Sequence, residues 1–186
     1  MPTKISIYNQ ALYKLGKGRA TNPSQEAVFE DIYATQRDLV LRAHPWNFAQ
    51  EFYTVTNDAS KGSWKYAYTY TLPTDPYCLR VLELEDPKAR FFVGSNRKLH
   101  TDIGAPLNFL GIARMTSESL FTADFADALA TKLAFEAGPK LASIEKSRRI
   151  ELWEEYKEKI GVGRSIDGQE GNFLEMEAGS YEEARY

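Results

Sequence analysis

A chain of 186 residues, 43% of them hydrophobic, suits one domain or one domain with an appendage and can bury a core of its own. Its net charge of −3 and pI near 5.5 argue against duplex binding by phosphate neutralisation. The single Cys78 excludes an internal disulfide, and two histidines with one cysteine argue against a structural zinc site, although carboxylates could still hold calcium or magnesium. No apolar run is long enough to span a bilayer, and MPTKISIYNQ lacks the apolar core of a signal peptide. Synthesis in the cytoplasm is the expectation.

In TKISIYNQALYKLGKG, Ile5, Tyr8, Leu12 and Leu15 recur three and four apart, which predicts an amphipathic helix stopped by Gly16 and Gly18. A second helix is predicted from Pro23, capped by Asn22 or Ser24. Its apolar face is read as Ala27, Ile32, Leu39 and Ala43, widened by Val28, Val40 and Leu41. It should end before Pro45, because proline disfavours helical geometry at the residue before it.

The composition then changes. FYTVT (52–56), WKYAYTYTL (64–72), YCLRVLELE (77–85) and ARFFVGS (89–95) are rich in β-branched and aromatic residues and are separated by turn material. APLNFLGIARM (105–115) is a further strand candidate. Residues 50–115 thus read as a small, mostly antiparallel sheet inserted between helices.

Helix is predicted again from about Ala123, with Phe125, Leu129, Leu133 and Ala137 on one stripe and Thr122 or Ser119 as cap. GPK at 138–140 should kink or interrupt it. A last helix runs to about Ile160, with Ile150, Trp153 and Tyr156 on the buried side. Beyond Gly161 the sequence is Gly-rich and acidic. Phe173, Leu174, Met176, Tyr181 and Tyr186 are scattered through it. Two readings stand: a disordered tail, or an arm that orders on a partner with those side chains as anchors. The fold class expected is mainly α: a helical-bundle hub (1–49 and 116–161), an inserted antiparallel β region (50–115) and an extended C-terminal arm (162–186).

The residues offer little chemistry. His44 ends a helix, where a ring nitrogen can satisfy the last carbonyls. His100 falls in the turn-like RKLHTDIG, and Cys78 falls inside a strand pattern, where cysteine behaves as a small apolar group. A Cys/His pair from these has no local signature. GVGRSIDG lacks the Lys-Ser/Thr and preceding strand of a phosphate loop. No catalytic residue, cofactor site or metal site is expected.

Read in order, ALYKLG, RDLVLRAHPWNFA, YTLPTDPYCLRVLEL and DALATKLAFEAGPKLA resemble the head-to-tail adaptor proteins of tailed bacteriophages, the tail tubular protein A group of short-tailed phages. The matching positions are Leu15 and Gly16; Arg37, Asp38, His44, Pro45, Trp46 and Phe48; and Leu72, Pro73, Asp75, Leu79, Arg80 and Val81. The likeness spans about residues 4–160. It implies a structural virion protein, located in the neck of the particle, that forms a ring of twelve copies between the portal protein and the tail nozzle protein. DNA would pass through the lumen without specific binding, and no membrane is involved. It also implies that the C-terminal arm reaches the portal through Phe173, Leu174, Met176, Tyr181 and Tyr186. His44, Pro45, Trp46 and Phe48 read as a structural corner. Arg37, Asp38, Arg148 and Arg149 are candidates for contacts between subunits. Two other classes stay open: a generic interaction module that binds a partner by its tail, and a small hydrolase built on Cys78 or His44.

Overall fold

The computed structural model describes residues 1–19, 23–56, 58, 62 and 64–170. Helix α1 spans Lys4–Lys14 and α2 spans Pro23–Ala43. Six strands follow: β1 Gln50–Val55, β2 Tyr68–Thr71, β3 Cys78–Leu84, β4 Phe91–Val93, β5 Lys98–Thr101 and β6 Leu107–Ala113. Helices α3 (Ala123–Ala142) and α4 (Lys146–Glu170) complete the described chain.

Local sequence explains the ends of these helices. Thr3 and Ser6 form a reciprocal capping box at the start of α1. Gly16, at φ +70, supplies the left-handed residue that stops it. The Thr122 hydroxyl accepts from the Phe125 backbone N–H at 3.4 Å and caps α3. Helix α3 passes through Pro139 and ends only at Ser143, in the left-handed conformation. The predicted break at 138–140 does not form. Pro139 sits in the last turn, where little helix remains to be disrupted.

The expectation of a mainly α, helical-bundle hub is overturned. The fold is mixed α and β, with two three-stranded antiparallel sheets ordered β1-β6-β3 and β2-β5-β4. The sheets are not an appendage to a helical core. Tyr53, Tyr70, Leu84, Leu99, Leu107 and Phe109 belong to a second buried cluster of their own. Ile112 of β6 is buried in the first cluster, among α1, α2, α3 and α4. The single predicted sheet is two, because β5 runs through the supposed turn RKLHTDIG and pairs β2 on one side and β4 on the other. Asn96 and Arg97, both at positive φ, make the turn just before it.

Several predicted faces are also rotated. Ile5 of α1 is exposed, and Ile7, Tyr8, Ala11 and Leu12 are buried instead. In α2 the buried residues are Phe29, Tyr33, Gln36, Arg37, Val40 and Leu41, while Leu39 faces out. In α4 they are Leu152, Tyr156, Ile160 and Gly163, whereas Ile150 and Trp153 are exposed. Helix α3 is the central one: Phe125, Leu129, Leu133 and Ala137 are buried as predicted, and so are Ala126, Ala128, Ala130 and Ala134. Its alanines let α1, α2 and α4 approach closely. Helix α4 also runs on to Glu170, so 162–170 is helical and not the start of an extended arm; residues 171–186 lie outside the described residues.

Candidate interaction site

The junction after α2 is where the unusual residues converge. Pro45 ends the helix, and the chain turns through a short 3-10 segment, Asn47–Ala49, into β1. The Trp46 ring enters the core and is 1% exposed. It meets Phe125 edge-on at 5.3 Å between centroids, and Phe48 packs on Phe125 at 5.1 Å. Trp46 Nε1 donates to the Val40 carbonyl at 3.0 Å. That carbonyl is in the last turn of α2, so the indole ties the corner to the end of the helix.

The sequence assigned the last carbonyls of α2 to His44, and the structure corrects this. His44 is buried, and its Nε2 lies 2.5 Å from Asp167 Oδ2 of α4. Its Nδ1 has no partner among the described residues. Asn47 Nδ2 donates to the Asp167 carbonyl at 3.0 Å. One turn earlier on α4, the Trp46 ring lies against Gly163. A Cβ there would meet Trp46 Cζ3 at 2.6 Å and Cη2 at 2.7 Å. The corner is therefore a clamp on the end of α4. It holds the last described turns of α4 against the end of α2. Gly163 and Asp167 were missed in the sequence, because Gly161, Gly163 and Gly168 lower helix propensity there.

The expected intersubunit candidates find partners within the chain. Arg37 Nη2 and Arg114 Nη2 both reach Asp38, each at 2.8 Å, tying α2 to the end of β6. Arg148 pairs with Glu151 at 2.9 Å and donates to the Lys14 carbonyl at 2.9 Å. Arg149 stacks on Phe135 at 4.5 Å and is exposed. Phe173, Leu174, Met176, Tyr181 and Tyr186 lie outside the described residues.

A second polar cluster joins three helices. Asp127 of α3 meets Lys14 of α1 at 3.0 Å and Lys159 of α4 at 2.9 Å. Burial opposes the Asp127 charge, but hydrogen bonds from Lys159 and Lys14 more than offset it, and the carboxyl sits below its ordinary value. A depressed folded value means that the contribution is present above the unfolded carboxyl range and is lost as pH falls through the folded value. Asp127→Asn is thus expected to cost about 1 kcal/mol near neutral pH and to flatten the acid limb of stability. Urea unfolding of both proteins at neutral and acidic pH should show the difference shrink as acid protonates the wild-type carboxyl.

The candidate chemical groups sit apart. Cys78 is buried in the second core cluster, and burial pushes its thiol up to about 11, opposite to the direction a nucleophile needs. His100 lies on β5, with Nδ1 3.0 Å from the Thr69 hydroxyl oxygen, and its ring is stacked near Tyr66 and Phe92. His44 is committed to Asp167. Among the described residues, no group of three or more His, Cys, Asp or Glu is placed to hold a metal ion.

A further constellation was not read from the sequence. The Tyr77 ring is held between two guanidinium groups, Arg97 at 3.7 Å and Arg114 at 3.9 Å from its centroid. They line a cavity of about 450 Å³ between α2 and the two sheets. Tyr77 and the two arginines come from three separate stretches of chain, so no local motif announces them.

No family model matches the chain. A 109-residue stretch is 32% identical to tricin synthase 1 of Oryza sativa subsp. japonica, covering 58% of this chain. The matched stretch is 42% of the length of that relative.

Proposed function

We propose that this chain is a structural connector of a phage virion, a head-to-tail adaptor that forms a ring between the portal and the tail nozzle. The observation that carries the reading is the clamp at His44, Trp46 and Asn47 on Gly163 and Asp167. The residues that carry the resemblance act there as architecture, holding the helix that 171–186 follows in sequence. That chain, 171–186, holds Phe173, Leu174, Met176, Tyr181 and Tyr186 among four glutamates. Such a segment suits docking on a second protein, with apolar anchors in pockets. Ring closure uses two different faces of each subunit. Exposed Ile150, Trp153 and Arg149 on α4, and exposed Ile5 and Tyr13 on α1, are surfaces available for it. DNA would pass through the lumen without specific contacts, and twelve copies would convert modest portal contacts into avidity.

The test is association with the portal protein of the same genome. The purified chain should run as a monomer alone and shift to a ring-sized complex with portal. Substituting Phe173, Leu174 and Met176 by Ser should abolish that shift while the chain alone stays folded and monomeric. A second reading, a small-molecule enzyme, is favoured by the partial likeness to tricin synthase 1. It requires turnover that disappears in the Cys78→Ala or His44→Ala protein. A generic interaction module is separated from both by binding a partner other than portal through 171–186.

A further inference from the structure

The cavity beside Tyr77 joins an apolar floor to an excess of positive charge. Leu39 and Val93 line it and are 49% and 41% exposed. Of the guanidinium groups around it, Arg114 is paired with Asp38. Arg42 and Arg97 have no carboxylate partner among the described residues. Arg97 is held by neutral groups, the face of Tyr77 and the Pro73 carbonyl, to which its Nη2 donates at 2.7 Å. Asp38, the acid in the lining, is already shared by Arg37 and Arg114. Two guanidiniums without a carboxylate at the edge of an apolar hollow, Arg97 held in place and Arg42 exposed, favour a ligand with carboxylates on either side of an apolar side chain. A phosphodiester backbone would leave the apolar floor unfilled.

We propose that the occupant is this chain's own segment Phe173–Glu177, with Met176 or Leu174 on the apolar floor and Glu175 and Glu177 against Arg42 and Arg97. The composition fits: residues 171–186 carry four glutamates against one arginine. The reach also fits. Asp167 touches His44 and Asn47, and Arg42 of the cavity is two residues before His44. From bond lengths and helical rise, the end of α4 lies within roughly 20 Å of Arg42. Six extended residues span about that distance. By contrast, the exposed groove at Phe135, Ile150 and Trp153 lies at the start of α4, about 25 Å or more back along the helix from Glu170. Phe173, three residues past Glu170, falls short of it. The inference does not rest on the virion reading. Any partner that binds the segment must first displace it from this cavity, so the contact holds the anchors back until a partner competes.

The test is backbone amide exchange on the full chain. Amides of 173–177 are expected to exchange at least tenfold more slowly than in the free 171–186 peptide, equally at low and high protein concentration. The slowing should vanish in the Arg42→Gln/Arg97→Gln protein. It should vanish equally in Glu175→Gln/Glu177→Gln, whose changes lie outside the described fold and leave Arg97 on Tyr77. Exchange at the free-peptide rate in wild type overturns the proposal, as does slowing that survives the glutamate changes. Slowing that grows with protein concentration assigns the cavity to a second copy and overturns it too.

Discussion

Trp46→Ala should lower the free energy of unfolding by about 3–5 kcal/mol, the range for deleting a large aromatic ring from a closed core. The ring is buried against Phe125, Phe48 and Gly163. Its removal opens a cavity between α2, α3 and α4 and takes away the indole hydrogen bond to the Val40 carbonyl. Trp46→Phe keeps much of the bulk and loses the indole hydrogen bond, so its cost should be smaller, about 1–2 kcal/mol. Urea unfolding at equilibrium measures both. A loss under about 1 kcal/mol for Trp46→Ala would place the ring on a surface that relaxes freely and would contradict the clamp.

Gly163→Ala reverses the usual sign of a helical glycine substitution. In an open helix the change stabilises by up to about 1 kcal/mol, because alanine restricts the unfolded chain and favours the helix. Gly161 has open space around its missing Cβ, so Gly161→Ala should follow that rule. Two residues on, the new Cβ would lie 2.6 Å from the Trp46 ring, which cannot move without disturbing Phe125. Gly163→Ala should destabilise by about 1–3 kcal/mol through overpacking. The two changes must then couple. In a Trp46→Ala background the obstacle is gone, and Gly163→Ala should become neutral or stabilising. Independent, additive effects would mean that the ring and α4 do not touch.

The corner shows what the sequence could and could not reveal. Pro45 marks the end of α2 by a local steric rule, and large apolar residues beyond it must go into a core. Both features are visible in RDLVLRAHPWNFA. The partner of the corner is not, because Gly163 and Asp167 lie over a hundred residues away in a stretch whose glycines argue against helix. Tertiary packing overrides that propensity, and the helix continues to Glu170. The same limit explains the sheets. Aromatic and β-branched runs identify five strands locally. The sixth, β5, is short and flanked by turn residues, and only its pairing with β2 and β4 reveals it. Without β5 the middle reads as a decoration on a helical bundle. With it, the second sheet exists and the fold is mixed. Helix faces were misassigned where long side chains such as Arg37 are buried by ion pairs instead of by apolarity. The Arg97–Tyr77–Arg114 stack is a contact between segments, which linear spacing does not encode.

The proposed connector role is tested most directly by electron microscopy of the purified chain mixed with the portal protein of its own genome. The account expects a closed ring of twelve copies seated on the portal, with 171–186 of each copy contacting portal and the His44–Asp167 clamp intact at the root of every contact. Portal particles that stay bare, with the chain remaining monomeric at saturating concentration, would contradict it.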